Sequence, residues 1–237
     1  MKREICEAGI PPVKIQTVED GMALGRAAAR WCRDQIRRYQ VKSVFVPAGQ
    51  TPMELYQIWQ TENPPELKDL RLLQIDEVVT GPQKGMFKDF FRQHLPALMR
   101  QLQTIGTADE VADLAVLGLG LNGHVAFHEP GLDPHFFSGC VRLSPSTCQY
   151  LQLQPGSWGL TYGIGAFERC RAILLVVSGA RKHEILQRLL QADPALPAST
   201  LLRHPDLTLL TDQGALGGEQ RAGSERRAGS ERRANRE

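Results

Sequence analysis

The stretch Asp113–Gly131 reads DLAVLGLGLNGHVAFHEPG and divides into an apolar half and a glycine-rich half. Its first five residues carry the short apolar run expected of a buried strand in a parallel sheet. Three glycines follow, and then two histidines and a glutamate within six positions. Reactive side chains just past the carboxyl end of a parallel strand lie where open α/β sheets bind ligands. The stretch therefore predicts an α/β fold and the main functional site.

Strands and helices alternate along the rest of the chain. Further buried strands are predicted over Ser43–Val46, Leu70–Ile75, Arg171–Val177 and Asp206–Thr211. Helices are predicted over Thr17–Tyr39, from Thr51 to about Gln60, over Met86–Leu95 and after Ser178. Residues 98–111 read as a short connection, and residues 132–160 as an irregular covering segment. We predict a single doubly wound, mostly parallel sheet with helices on both faces, as in Rossmann-like folds, forming one domain over residues 1–216.

Charge is unevenly spread between this domain and the C-terminal tail. The formal charge is +2, and residues 217–237 hold six Arg and four Glu, so the body is neutral. A neutral body gives no support for a nucleic-acid partner. The tail repeats RAGSER and contains no apolar residue larger than Ala, which predicts a low-complexity, disordered segment without a catalytic role.

The cysteines and the apolar runs indicate the compartment. Five scattered cysteines without a Cys-x-x-Cys pair, and an N-terminus without an apolar core, predict a cytoplasmic protein with reduced thiols. The longest buried-looking run, Ala172–Val177, is too short to cross a bilayer, so no membrane partner is predicted.

Two cofactor patterns can be weighed at the glycine-rich half. Gly118-x-Gly120-x-x-Gly123 matches the dinucleotide fingerprint, but a Pro-Gly pair cuts the following helix short and the required acid is absent. His124 and His128 stand four apart, which could suit zinc on a helix, but no third histidine or Cys-x-x-Cys supports a metal. We therefore predict neither a metal nor an organic cofactor. A histidine with a purely structural role in this turn stays open.

Three other strand ends carry candidate site residues. Thr51 is a predicted N-cap in a Thr-x-x-Glu capping box, and the same glycine-bearing turn also suits a phosphate. Asp76-Glu77 follows a strand and offers a carboxylate base, best if burial raises its pKa toward neutrality, although a helix cap or an ion pair stays open. Arg181, Lys182 and His183 fall in the first turn of a helix, where cations are unfavourable unless an anion lies nearby or the side chains point into solvent.

The loop from Gly118 to Gly131 resembles the signature loop of glucosamine-6-phosphate deaminases, which belong to a larger group with the 6-phosphogluconolactonases. This resemblance implies conversion of glucosamine 6-phosphate to fructose 6-phosphate and ammonia, without metal or organic cofactor. It also implies that Asp76 is the base that moves a proton between C2 and C1 of the open sugar. His124 falls on the family's ring-opening histidine, and Glu129 on the carboxylate that supports it. The implied phosphate-binding positions are Gly49, Gln50, Thr51 and Lys182.

Several positions depart from the family pattern. Asn122 replaces the usual aspartate, which turns Asp-His-Glu into Asn-His-Glu, and Asn122→Asp should increase ring opening if the asparagine is a handicap. Related isomerases acting on galactosamine 6-phosphate are similar to this version, so the sugar epimer stays open. His128 replaces an asparagine and Val78 a tyrosine. Arg181 could substitute for the family's second basic phosphate ligand.

The predicted function is thus an aldose-ketose isomerase/deaminase whose partner is a small-molecule sugar phosphate. One alternative is a 6-phosphogluconolactonase, although that group usually follows Asp-Glu with Arg and lacks a Phe-x-Glu-Pro ending. The other alternative is a sugar-phosphate-binding sensor without catalysis. The oligomeric state and any effector are left undetermined.

Overall fold

The structure is a computed structural model that describes residues 13–106 and 110–217 and the backbone of residues 2–5. The predicted tail, from residue 218 onward, lies outside the described residues. The strands are β1 Lys2–Ile5, β2 Val13–Val18, β3 Ser43–Val46, β4 Arg71–Gln74, β5 Asp76–Val78, β6 Leu102–Gln103, β7 Leu114–Gly118, β8 Ser138–Arg142, β9 Trp158–Tyr162, β10 Ala172–Val177 and β11 Leu207–Asp212. The α-helices are α1 Gly21–Tyr39, α2 Met53–Glu62, α3 Met86–His94, α4 Pro145–Tyr150, α5 Ile164–Phe167 and α6 His183–Leu190.

An eight-stranded sheet in the order β1-β2-β11-β10-β7-β3-β4-β6 forms the centre of the fold. Its neighbouring strands pair in parallel, except that β1 is antiparallel to β2. From β3 the chain moves outward through β4 to β6, and from β7 it moves the opposite way through β10 to β11. The strand order therefore reverses between β3 and β7, which is where such sheets open a ligand crevice. The predicted fold class is confirmed.

Both faces of the sheet are covered, which explains why its central strands β3, β7 and β10 are apolar along most of their length. Successive residues point to opposite sides, so Val116 packs with the core cluster that includes α1 and α2, while Leu117 packs with the cluster that includes α5 and α6. In the described part of the chain, no helix combines the length and apolar character that crossing a bilayer requires.

A second, antiparallel sheet in the order β5-β9-β8 corrects the prediction for residues 132–160. That segment is not an irregular cover, because it supplies two of the three strands and α4. The strand β9 pairs with β5, which lies about 80 residues earlier in the chain, with Asp76 opposite Thr161. β5 spans three residues and β8 has one buried residue in five, so neither carries the apolar run by which the central strands were predicted.

Three smaller differences concern the ends of elements. Thr17 and Val18 belong to β2 rather than to the first helix, which begins at Gly21 with Asp20 accepting a hydrogen bond from Ala23 N at 2.8 Å. The short edge strand β6 lies inside the predicted connection. The predicted Thr51 cap is wrong, because α2 begins at Met53 and its N-cap residue is Pro52, whose side chain forms no cap hydrogen bond.

Candidate active site

The loops after β3, β7 and β10 meet at the point where the strand order reverses. A Cβ atom built on Gly118, the last residue of β7, would lie 3.6 Å from Thr51 Oγ1 of the loop after β3. Lys182, in the loop after β10, donates a hydrogen bond from Nζ to the Leu119 carbonyl. Stretches that are far apart in the sequence, each predicted to hold site residues, therefore contact one another.

A pocket of about 80 Å³ opens beside this junction. It is lined by Gly120, Leu121, Asn122, His124, Ser146, Thr147, Tyr150 and Lys182. The histidine and the lysine thus share one pocket, as their predicted roles require. The three residues from α4 were missed by the sequence analysis, because the segment that contains them shows no regular apolar spacing.

Glu129 is the buried centre of a polar cluster behind the pocket, with only 5% of its surface exposed. Its Oε2 atom accepts a hydrogen bond from Asn122 Nδ2 at 2.8 Å and lies 3.5 Å from His124 Nδ1, within ion-pairing distance. Asn122 Oδ1 in turn accepts from the backbone N–H of His124 at 3.2 Å. The asparagine therefore connects the glutamate to the histidine.

The other carboxylate oxygen of Glu129 is held by the start of α4. Oε1 lies 2.5 Å from Thr147 Oγ1 and accepts from the Ser144 backbone N–H at 3.2 Å. Burial acts to raise the pKa of Glu129, but the neighbouring His124 and the hydrogen bonds from Thr147 and Asn122 outweigh it and lower the pKa to about 2. Glu129 is thus an anion at neutral pH.

The backbone of this loop is shaped by close contacts. A side chain at Gly120 would come within 2.3 Å of the His124 ring, and Gly123 has φ +83° with Leu196 packed against it. Ala126 takes the left-handed conformation at φ +51°, which costs about 1 kcal/mol for a residue with a side chain. The tight turn it forms lets Phe127 donate its N–H to Thr161 Oγ1 at 3.0 Å.

His128 is the histidine in this turn for which a purely structural role, left open above, fits the contacts. Its ring is buried, and Nδ1 accepts a hydrogen bond from Ile164 N at 3.1 Å. Burial lowers the pKa of His128 to about 4, so the ring is neutral. Among the described residues there is no cluster of three or more side chains suited to hold a metal ion.

Asp76 is a buried carboxylate with 6% of its surface exposed, and its Oδ1 atom has no hydrogen-bond partner in the described ranges. Burial, and after it the charge of Glu77, raises the pKa of Asp76 to about 8, in the predicted direction. Residues directly opposite on antiparallel strands share a face, so the side chains of Asp76 and Thr161 lie on one side of the small sheet. Thr161 accepts a hydrogen bond from Phe127 N in the loop of residues 118–131, called the His124 loop below. This contact links the loop to the strand pair that carries Asp76.

Glu77 differs from its neighbour, because it caps a helix. Its Oε1 atom accepts from Phe87 N at 3.0 Å and its Oε2 atom from Lys88 N at 2.8 Å, both in the first turn of α3. Gln74 Nε2 donates to the same carboxylate at 3.0 Å. The helix-cap alternative left open for the Asp-Glu pair thus holds for Glu77, and the role of Asp76 as a base stays a prediction.

The predicted phosphate-binding residues lie in the loops that meet at this junction, and they differ in how exposed they are. Gly49 has φ +104° with open space where a side chain would be, Gln50 is exposed, and Thr51 is half-buried. Lys182 is half-buried, and burial followed by the charge of Arg181 lowers its pKa to about 8. Arg181 itself is exposed and does not line the pocket.

One positioning group in this region was missed. Asp212, at the end of β11, is buried and accepts hydrogen bonds from Ser178 Oγ and from Gly179 N at 3.0 Å. These bonds fix the turn that carries Lys182. The sequence offered no signal for this contact, since the residues are more than 30 positions apart.

Comparison with known proteins agrees with this arrangement. Residues 88–209 match the family described as glucosamine-6-phosphate isomerases/6-phosphogluconolactonase. The chain belongs to this family, whose members are enzymes of carbohydrate metabolism. The match includes the whole His124 loop and the turn with Lys182, but not the Thr51 turn or Asp76.

Individual relatives cover nearly the full chain. This chain is 28% identical over 233 residues to a glucosamine-6-phosphate deaminase of Bacillus cytotoxicus, and the alignment covers 86% of this chain and 88% of the relative. A solved monomeric glucosamine-6-phosphate deaminase aligns with a TM-score of 0.72 at 26% identity, covering 86% of this chain and 99% of the other. The 6-phosphogluconolactonase of Trypanosoma brucei gives a TM-score of 0.71 at 18% identity, covering 88% and 98%. That last likeness establishes the shared fold alone.

Proposed function

We propose that this chain converts glucosamine 6-phosphate, or its galactosamine epimer, to the ketose 6-phosphate and ammonia. The observation that carries the proposal is the His124–Glu129 pair at a pocket shared with Lys182, together with a buried carboxylate of raised pKa, Asp76, on β5 of the small sheet. Similarity to deaminases at 26–28% identity supports it. The proposal assigns the reaction to one domain, residues 1–216, and gives residues 217–237 no part in it.

Ring opening is assigned to His124. The step breaks the bond between C1 and the ring oxygen, adds a proton to that oxygen and removes one from the C1 hydroxyl. A histidine can carry a proton between these two oxygens near neutral pH. Glu129, ionised and 3.5 Å from Nδ1, stabilises the protonated ring and keeps its orientation.

Proton transfer in the open sugar is assigned to Asp76. The carboxylate removes the proton from C2 while the C1 carbonyl oxygen takes up a proton from the substrate's ammonium group, which gives an enolamine. The carboxylate then returns its proton to C1, which leaves a hydroxyl at C1 and an iminium group at C2. Water then adds to C2 and ammonia leaves from it. With a pKa of about 8, about a tenth of Asp76 is ionised at pH 7 in the free protein. The ammonium group of a bound substrate would increase that fraction.

The phosphate is assigned to the junction of the loops after β3 and β10. Backbone N–H groups at Gly49, Gln50 and Thr51 precede α2, whose N-terminus favours an anion. Lys182 contributes a positive charge from the opposite side, and releasing the Leu119 carbonyl would free its ammonium group for the ligand. Arg181 would have to turn inward to contribute a second charge.

The compartment is proposed to be the cytoplasm. The four cysteines in the described part of the chain are free thiols, three of them buried, which supports a reducing environment.

A substrate panel tests this proposal. The purified protein is given glucosamine 6-phosphate, galactosamine 6-phosphate and 6-phosphogluconolactone, and ammonia release and lactone hydrolysis are measured. Ammonia from one amino sugar is expected, and it identifies the epimer. Lactone hydrolysis without ammonia would instead indicate a lactonase. Thermal stabilisation by the sugar phosphates without any turnover would indicate a binding protein.

A further inference from the structure

The first turn of α4 contacts the buried glutamate of the site but belongs to none of the stretches to which the sequence analysis assigned chemistry. Thr147 Oγ1 and Ser144 N both reach Glu129 Oε1, at 2.5 and 3.2 Å. Thr147 is itself 4% exposed, so solvent does not compete for its hydroxyl. A buried hydroxyl at this distance from a carboxylate is a strong, charge-assisted hydrogen bond.

The direction of this hydrogen bond is determined by its surroundings. An ionised carboxylate can only accept, so the Thr147 hydroxyl donates to Glu129. Ser144 Oγ donates to Thr147 Oγ1 at 3.0 Å and accepts the Thr147 backbone N–H at 3.2 Å. The Thr147 hydroxyl is therefore fixed by a donor behind it and an acceptor in front of it, in a chain whose members strengthen one another.

The two carboxylate oxygens of Glu129 have separate sets of contacts. Oε1 contacts only the start of α4 among its described hydrogen-bond partners, whereas Oε2 faces Asn122 and His124. The only titratable group facing this carboxylate at contact distance among the described residues is His124. Rotation of the carboxylate away from Thr147 would also move Oε2 away from the histidine.

We propose that Thr147 is a positioning residue, whose hydroxyl holds the Glu129 carboxylate in the plane and charge state that support His124 during ring opening. This inference rests on the proposed function, and it adds α4 to the elements that build the site. The hydroxyl acts through Glu129 and contacts neither the transferred proton nor the phosphate. Its loss should therefore reduce kcat and leave KM nearly unchanged.

Two variants of Thr147 distinguish the contribution of its hydroxyl group from that of its packing. Thr147→Val keeps the shape and removes the donor, and Thr147→Ser keeps the donor and removes a methyl group. Gln149→Ala, an exposed position on the same helix, serves as the control. We expect Thr147→Val to lower kcat about 10-fold with KM within about twofold, Thr147→Ser to stay within about threefold of the parent, and the control to match it.

A measurement independent of turnover follows the Glu129 carboxyl directly. Glutamate labelled with ¹³C at the carboxyl is titrated by NMR in the full chain, and the Glu129 signal is assigned from its absence in Glu129→Gln. We expect the Glu129 titration to move to higher pH by about one pH unit in Thr147→Val and to return in Thr147→Ser. This shift is expected even if the protein releases no ammonia, so failure of the proposed reaction and failure of the positioning role give different results. An unmoved titration together with an unchanged kcat in folded Thr147→Val would show that Thr147 only fills space.

Discussion

At the scale of single residues, Asn122 shows how one amide can suit this site. Its Nδ2 donates to Glu129 Oε2 at 2.8 Å while its Oδ1 accepts from the His124 backbone. An aspartate could make only the second contact. Its other oxygen would place a second negative charge against the buried Glu129 carboxylate.

Asn122→Asp is therefore expected to lower activity, which is the outcome expected if the asparagine is not a handicap. Two carboxylates at this distance cannot both ionise freely, so one of them takes up a proton and His124 loses its fixed counter-charge. We expect kcat to fall about 10-fold and the free energy of unfolding at pH 7 to fall by about 1–3 kcal/mol. Steady-state kinetics and urea unfolding measure both. Increased activity would show that the asparagine is a handicap.

Asp76 is a site residue whose ionisation lowers the stability of the folded protein. Its carboxylate is buried, and the pKa is raised from 3.8 to about 8. The native state then holds a proton that the unfolded chain releases above pH 4, so stability is lost as the pH rises from about 4 to about 8. Function and stability are in conflict at this residue.

Asp76→Asn removes this dependence. Relative to the variant, the parent protein should lose on the order of 1 kcal/mol of unfolding free energy per pH unit between pH 5 and pH 8, with no further loss above pH 8. Urea unfolding of both proteins at four pH values measures the difference. A difference that does not change with pH would mean that the native pKa of Asp76 lies near its ordinary value.

At the scale of elements, α3 is coupled to the site through its cap. Glu77 accepts hydrogen bonds from two backbone N–H groups of this helix, and its charge is the second cause of the raised pKa of Asp76. A helix N-terminus and a candidate general base thus depend on the same carboxylate.

Glu77→Gln should affect both. The neutral amide interacts less favourably with the helix dipole, so the free energy of unfolding is expected to fall by about 1 kcal/mol. The pKa of Asp76 should fall, which moves the acid limb of the kcat/KM profile to lower pH. pH–rate profiles of the two proteins, with Asp89→Asn as an exposed control on the same helix, measure the shift. An acid limb that moves to higher pH would contradict the electrostatic coupling.

At the scale of the whole molecule, the predictable part of the fold consists of the strands whose own residues form an apolar run. The runs that became β3, β7 and β10 are buried on both faces and are mainly apolar, so their composition alone identified them. The small sheet was missed because β8 has a single buried residue, and because β9 pairs with β5 from another part of the chain.

The candidate site was predictable where the chemistry lies in one continuous stretch. Asn122, His124 and Glu129 lie within eight positions, and the structure brings them into one cluster. The contributions of Thr147 and Asp212 were not predictable, because each reaches the site by a contact between distant segments. The predicted Thr51 cap failed for a related reason, since that side chain lies beside Gly118 at the end of another strand.

Deuterium transfer in Asp76→Asn tests most directly whether this carboxylate carries the proton between C2 and C1. The parent protein and the variant are incubated in D₂O with the amino sugar phosphate that releases ammonia, and hydrogen at C1 and C2 is followed by NMR. We predict partial deuteration at C1 of the ketose with the parent protein, because the proton held by Asp76 exchanges in part with solvent before it is returned. With the variant we predict no exchange at C2 and no ammonia, while the sugar phosphate still raises its Tm. Exchange at C2 in the variant at the rate of the parent protein would contradict the assignment of Asp76 as the base.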